Sequence, residues 1–462
     1  MTDDPTETSE ARCGDGTIAR MASYVVEARQ KPAPEAARQA AFRSILDLVG
    51  AAAAGLDETV SIAVRRMALT VMGSGEVPIW FSGATGSAIG AAWANSAAAS
   101  ALDLDDGHRL ARGHPGAAVI PAAFAVAHQA GSSLEEMLSA IVIGYEVGVT
   151  IAAARTTYGN SGTWAAYAVV ATAAALRRTP ADAVAHALAI AGESAPNQLF
   201  ASAPAPRISA PEGSDVKEGI PWSVVTGLVA LGLAEAGHTG PRNILDSPRQ
   251  YDFAEDLSLG RSLHICNTYF KLYACCRHVH APLDALLALV DCHGIRSEEI
   301  EAIDVETTSG ALRISNRVRP SNLIDVQYSI PYCLALAAVA GPQALLPLTR
   351  EALSHRGVSA IASRVKLSLN PEFDARFPAE TLARVTIACG ERRLVSDVTA
   401  PLGEANNPLS WSQLEEKFNM ATGRMATDAE RTRILEAVNN VRTGDIRSLM
   451  LCLRDVKLPK CG

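Results

Sequence analysis

A basic, apolar start is missing from the first residues, so no secretory leader is expected. The chain opens on MTDDPTETSE, acidic and polar, which is not the pattern of a secretory signal. It also lacks an uninterrupted membrane-length run: the apolar stretch 165–176 stops at Arg177 and Arg178, short of the roughly 20 residues a span needs. None of its nine cysteines falls in a C-x-x-C pair, which predicts free thiols in a reducing cytoplasm. Net charge is −8 with no long basic run, and basic residues are not interleaved with aromatics, so no nucleic-acid partner is expected. Gly73 and Gly75 lack the further glycine of a dinucleotide fingerprint, and no P-loop or G-x-S-x-G elbow occurs.

What is present is apolar and helical. Hydrophobic residues make up 48% against 19% charged, enough for a large core in a chain of two or three domains. Residues 1–15 read as a loose tail. From Thr17 to about Thr239 the spacing predicts helices over 36–54, stopped by Gly55, and over 88–101 and 116–129, the latter with Pro115 near its start. A further helix over 133–154 carries a capping box, Ser133 with Glu136, and others follow at 164–176, 180–191 and 221–236. Residues 194–216, rich in Ala, Pro, Ser and Gly, read as a long loop.

After about residue 265 the texture changes. Strands are expected at 300–307, 364–369, 382–388 and 393–399, alternating with helices at 281–291 and 326–340, while 373–381 is too mixed to assign. Helices return at 414–421, 428–441 and 446–456. The expected fold is mainly α: a large all-helical domain (16–264 plus 403–462) with a smaller α+β lid domain (265–402).

Titratable groups crowd into 102–116, LDLDDGHRLARGHPG, between two apolar helices. Acids at the carbonyl end of a helix are locally unfavourable, and a stretch that breaks a local rule is a candidate site. His114, at a helix start, suits acid/base work, with Asp103 orienting it. The bland alternative is a solvated loop whose aspartates cap helices.

A second constellation is YFKLYACCRHVHAP, 269–282. Lys271 sits among apolar and aromatic residues, and a lysine withdrawn from water can act as a base or clamp. His280 precedes Pro282 at an expected helix entrance, where free N–H groups favour a carboxylate. The alternative is a core strand with a snorkelling lysine. Cys266, Cys275, Cys276, His278, His280, Cys292 and His293 cluster in sequence without zinc-finger spacing, so no metal is expected. By pattern alone, Asp215, Lys217 and Glu218 read as a solvated charge cluster ahead of the helix at Pro221. Tyr145 and Tyr328 lie in apolar helical surroundings and matter only if they line a cleft.

Taken together, LDLDDGH, GHPGAAVIPAAFAVA, FKLYACCRHVHAPLDAL and DVQYSIPY resemble the MmgE/PrpD family of 2-methylcitrate dehydratases, cis-aconitate decarboxylases and an iminodisuccinate epimerase. The resemblance runs from about 17 to 455. It implies a homodimer, cofactor-free chemistry in a cleft between two domains, and a small polycarboxylate substrate. The family motifs match Asp103, His114, Lys217, Lys271, His280 and Tyr328. Two departures stand out. Gly107 replaces the Thr, Tyr or Ala frequent in decarboxylase and dehydratase relatives, and Tyr158 or its neighbours align where decarboxylases place a histidine. Both point away from decarboxylation.

The chemistry so implied is proton transfer at carbon beside a carboxylate. Lys271, Lys217, Arg109, Arg112 and Arg277 are candidate clamps, and His108 and Tyr145 candidate substrate contacts. The expectation is an epimerase acting on an amino-polycarboxylate such as iminodisuccinate, with His114 and Lys271 as opposed acid and base. The alternatives are 2-methylcitrate-type dehydration, cis-aconitate-type decarboxylation, or a binding protein without turnover.

Overall fold

The computed structural model describes residues 16–196 and 215–458. The fold is mainly α, with a smaller α+β domain in the C-terminal half. The expected tail at 1–15 and most of the expected loop at 194–216 lie outside the described residues.

The helical part is built around Leu134–Ala154 and Gly162–Arg177, packed by Gly116–Ala130, Ala88–Ser100 and Ile220–Glu235. Small residues let these backbones approach. A Cβ on Gly144 would stand 2.0 Å from Thr172 Oγ1, and one on Gly148 2.6 Å from the Ala168 Cβ. The capping box forms: Glu136 N–H donates to Ser133 Oγ (3.3 Å), and Ser133 N–H to Glu136 Oε2 (2.9 Å). Gly55 ends Glu35–Ala54 for a packing reason rather than a left-handed turn: its φ is −88°, and a Cβ there would lie 2.2 Å from the Ala98 carbonyl oxygen. Leu134–Ala154 is long and apolar enough to cross a membrane, with mean hydropathy 1.8, although no such run was expected. It is a core helix, 94% buried within the protein. A short hairpin, Val77–Ile79 with Ala84–Gly86, had no counterpart in the sequence reading.

The α+β part holds a four-stranded sheet in the order Val365–Leu369, Ala302–Thr307, Arg384–Cys389, Arg392–Val395. The first pair is parallel and the rest antiparallel. Burial alternates along Ala302–Thr307 and Arg384–Cys389, so one face meets the core and the other does not. Helices Arg277–His293 and Ile330–Ala340 belong to the same hydrophobic cluster as the buried face.

Two expected boundaries move. The helix expected at 281–291 starts at Arg277, so His280 and Pro282 lie inside it. The helix expected at 326–340 is broken: Leu323–Gln327 ends at Tyr328, and Ser329 caps a new helix, Ile330–Ala340, by accepting from Tyr332 N–H. After the sheet, Trp411–Thr422, Asp428–Arg442 and Ile446–Asp455 pack onto the N-terminal core through Leu414, Phe418, Ile434, Val438 and Leu449. Each such side chain contributes about 2 kcal/mol of burial free energy.

Candidate active site

The two charged stretches are brought together by β pairing. Gly107 pairs with Tyr269 and His108 with Thr268 in a short antiparallel ladder. That ladder carries Lys271, two residues beyond it, back under the loop that begins at Asp103.

Asp103 is the centre. It is buried and in the left-handed region, φ 54°. Its Oδ1 accepts from Lys217 Nζ and Lys271 Nζ, each at 2.8 Å, and Lys271 also donates to the Asp103 carbonyl at 2.8 Å. Burial opposes the carboxylate charge, but Lys217, Lys271 and His114 outweigh it and hold Asp103 far below the usual range. Its Oδ2 has no hydrogen-bond partner among the described residues.

His114 lies against this carboxylate. Nε2 is 3.3 Å from Asp103 Oδ1, and Nδ1 donates to the Asp106 carbonyl at 2.9 Å while standing 3.3 Å from Asp105 Oδ2. Burial and Lys271 disfavour the charged ring, but Asp105 and Asp103 prevail and raise its pKa above 6.5. The two aspartates favour the imidazolium, the proton-donating form.

Lys217 is not the solvated charge that pattern suggested. It is 3% exposed. The consecutive left-handed residues Glu218 (φ 51°) and Gly219 (φ 69°) form a tight turn against Gly162, whose N–H donates to the Glu218 carbonyl at 2.9 Å. Lys217 Nζ also donates to the Tyr328 hydroxyl at 2.7 Å, which donates to Glu218 Oε1 at 3.1 Å. Glu218 Oε2 takes the Ser161 hydroxyl at 2.7 Å, and Ser161 Oγ accepts His114 N–H at 3.0 Å. Burial alone would lower the Lys217 pKa, yet Asp103 and Glu218 raise it, so it stays an ammonium ion. The sequence reading placed Glu218 only in that solvated cluster, gave Asp105 no role of its own and did not name Ser161; only the breach of the solvated-loop pattern could have flagged the acids.

The other candidates fall elsewhere. His280 lies within the first turn and a half of its helix, not ahead of it. Its Nε2 donates to the Cys275 carbonyl (3.3 Å) and its Nδ1 accepts from Arg277 (3.4 Å). Burial, then Arg277 and Lys271, keep it neutral. Tyr145 does not face His114: its hydroxyl donates to Asp106 Oδ2 at 2.5 Å, while Asp106 Oδ1 takes Gly116 N–H at 2.9 Å. That network anchors the helix start behind His114. His108 turns to His264, ring edge to face at 5.4 Å, and its nitrogens have no hydrogen-bond partner among the described residues. Arg109 and Arg277 both grip Glu404 and lie over the Tyr269 ring, at 5.2 and 4.6 Å from its centroid. Arg112 is only partly buried and lies over Tyr158 at 5.3 Å.

Asp103, Asp105 and His114 present donor atoms within 4.8 Å of one another. Two ammonium groups already occupy Asp103, and a divalent cation would meet their charge, so the set does not fit a metal. Cys266, Cys275, Cys276, His278, His280, Cys292 and His293 form no three-donor cluster among the described residues.

Residues 19–264 match the model of the MmgE/PrpD N-terminal domain, and residues 273–442 that of the MmgE/PrpD C-terminal domain. The chain belongs to the MmgE/PrpD family. Within it, the chain is similar to the cis-aconitate decarboxylase of Aspergillus terreus, 28% identical over 395 residues that cover 75% of this chain and 77% of the relative. The protein of that name from A. terreus strain NIH 2624 / FGSC A1156 matches to the same extent. Both relatives are named as decarboxylases, a lyase activity, and not as the isomerase expected from sequence.

Proposed function

We propose that this chain is a cofactor-independent lyase that removes carbon dioxide from an unsaturated tricarboxylate of the cis-aconitate type. The observation that carries the reading is His114 against Asp103, where its protonated form is favoured, with Lys217 and Lys271 on the same carboxylate. Loss of carbon dioxide breaks a carbon–carbon bond and leaves its electron pair on the substrate skeleton, spread onto a neighbouring carboxylate. His114 gives its proton to that carbon. Lys217 and Lys271 stabilise the transient negative charge, sharing their hold on Asp103 with the substrate. Arg112 receives a further carboxylate at the mouth. Tyr328 holds Lys217 in place, and His280 holds the Cys275 carbonyl on the segment that carries Lys271.

Dehydration of a 2-methylcitrate-like tricarboxylate is the second reading. The same machinery serves it, because an imidazolium can protonate a leaving hydroxyl once a base has taken the α-proton. Epimerisation of iminodisuccinate ranks behind both. It asks for acid and base on opposite faces of one carbon, whereas His114 and Lys271 converge on one oxygen, Asp103 Oδ1. The departures at Gly107 and Tyr158 remain the argument against decarboxylation.

We further propose a helical domain of 16–264 plus 403–462, a lid of 265–402, a homodimer and a cytoplasmic setting. One experiment tests the reaction. Incubation with cis-aconitate, 2-methylcitrate or iminodisuccinate in deuterated water, followed by NMR, should give carbon dioxide and a product deuterated at one carbon from cis-aconitate. α-Deuteration of iminodisuccinate without elimination, and no turnover of the other two, would restore the epimerase.

A further inference from the structure

Beneath the loop lies a buried ion pair that the chemistry above leaves unused. Lys417, on the C-terminal helix Trp411–Thr422, is 2% exposed and salt-bridged to the equally buried Asp47 of Glu35–Ala54. Its Nζ also donates to the Leu104 carbonyl at 2.9 Å. Leu104 is the residue between Asp103 and Asp105, which contact the two ring nitrogens of His114.

The backbone needs such help. The helix Ala88–Ser100 has ended, so the carbonyls that follow have no intrahelical partner. Three are satisfied by cationic side chains: Asp103 by Lys271, Leu104 by Lys417, Asp106 by His114. Asp103 is in addition held in a left-handed conformation that a non-glycine residue rarely keeps without support. A buried ion pair is seldom more stabilising than a well-packed apolar pair, so stability alone does not account for Asp47 and Lys417.

We propose that Lys417 is a positioning residue: from the far end of the chain it fixes Leu104, and so sets where Asp103 and Asp105 stand on either side of His114. It touches no reacting atom. Asp47, salt-bridged to the same ammonium group, aims it and is part of the same device. The inference rests on this loop being the reaction site, not on which tricarboxylate is used.

The test is the double change Asp47→Asn with Lys417→Met, which leaves no buried ion behind. Two readouts separate positioning from simple stability. The first is kcat against KM on the substrate that turns over: kcat should fall about 10- to 100-fold, as misplacement by a fraction of an ångström to an ångström does, with KM nearly unchanged. The second is the His114 titration midpoint by NMR, which needs no substrate and should move down towards the ordinary 6.5 as the aspartates loosen. Lys417→Arg, which keeps the charge and donor, should restore part of the rate. A folded double variant with unchanged kcat and midpoint overturns the proposal. So does one that cannot fold, since the pair would then be a folding determinant. A shifted midpoint in a protein that turns over none of the tricarboxylates would leave the positioning role standing and remove the lyase reading.

Discussion

His114 and Asp103 meet at 3.3 Å, Nε2 to Oδ1, while the opposite ring nitrogen donates to the Asp106 carbonyl. With both nitrogens facing oxygen, the protonated ring is favoured, and with it the role of proton donor.

Replacing His114 by Asn should remove that donor and leave Asp103 to its two lysines. The expected loss in kcat is about 10²–10⁴-fold, the usual share of general acid catalysis, with modest change in substrate affinity. Steady-state kinetics by NMR check it. A variant within threefold of the parent would remove His114 from the chemistry.

The pH dependence follows from the raised pKa of His114. The acid form is full below 6.5 and is lost as pH rises through the higher folded value, so activity should have a limb falling on the alkaline side. Asp106 adds a stability effect of the same sign. Burial lifts its carboxyl from 3.8 to about 7, helped by Asp47 and Asp105. The native state then holds a proton that the unfolded chain gives up near pH 4, and stability falls between those values at about 1.4 kcal/mol per unit. Asp106→Asn can still accept from Gly116 N–H, and should flatten the melting temperature across that range. An unchanged slope would assign the proton elsewhere.

Gly107 is a glycine for a steric reason visible only in the fold. A Cβ there would stand 2.3 Å from Cζ and the hydroxyl oxygen of Tyr269, whose ring contacts both Arg109 and Arg277. Gly107→Ala should cost about 1–3 kcal/mol by overpacking. Adding Tyr269→Leu should recover most of it, which a double-mutant cycle in thermal unfolding measures. Additive losses would show that the ring can move aside.

Glu404 ties Arg109 to Arg277, and so joins the candidate active-site loop to the helix Arg277–His293. Glu404→Gln leaves two largely buried guanidinium groups without their carboxylate. The expected cost is about 3–5 kcal/mol in denaturant unfolding. A loss below about 1 kcal/mol would place the holding force in the Tyr269 contacts instead.

Much of the fold was legible along the chain. Caps, small-residue helices and alternating strands obey rules that act over a few residues, and Ser133 with Glu136 formed as expected. The strands near 300–307, 364–369 and 382–388 were placed within a few residues of where they lie. The broken helix at Tyr328 was missed because Ser329 and Pro331 sit inside an otherwise continuous apolar pattern, and only the N-cap hydrogen bond shows the restart.

The sequence by itself determined the family, the mainly helical class and the identity of the charged stretches, because motif spacing and side-chain periodicity are local properties. Tertiary structure decided which charges face one another. Lys217, Lys271 and His114 converge on one aspartate, Arg109 and Arg277 are drawn to Glu404, and Lys417 arrives from the far end of the chain. Such pairings depend on how distant segments pack, and a buried charge takes the partner that packing places beside it.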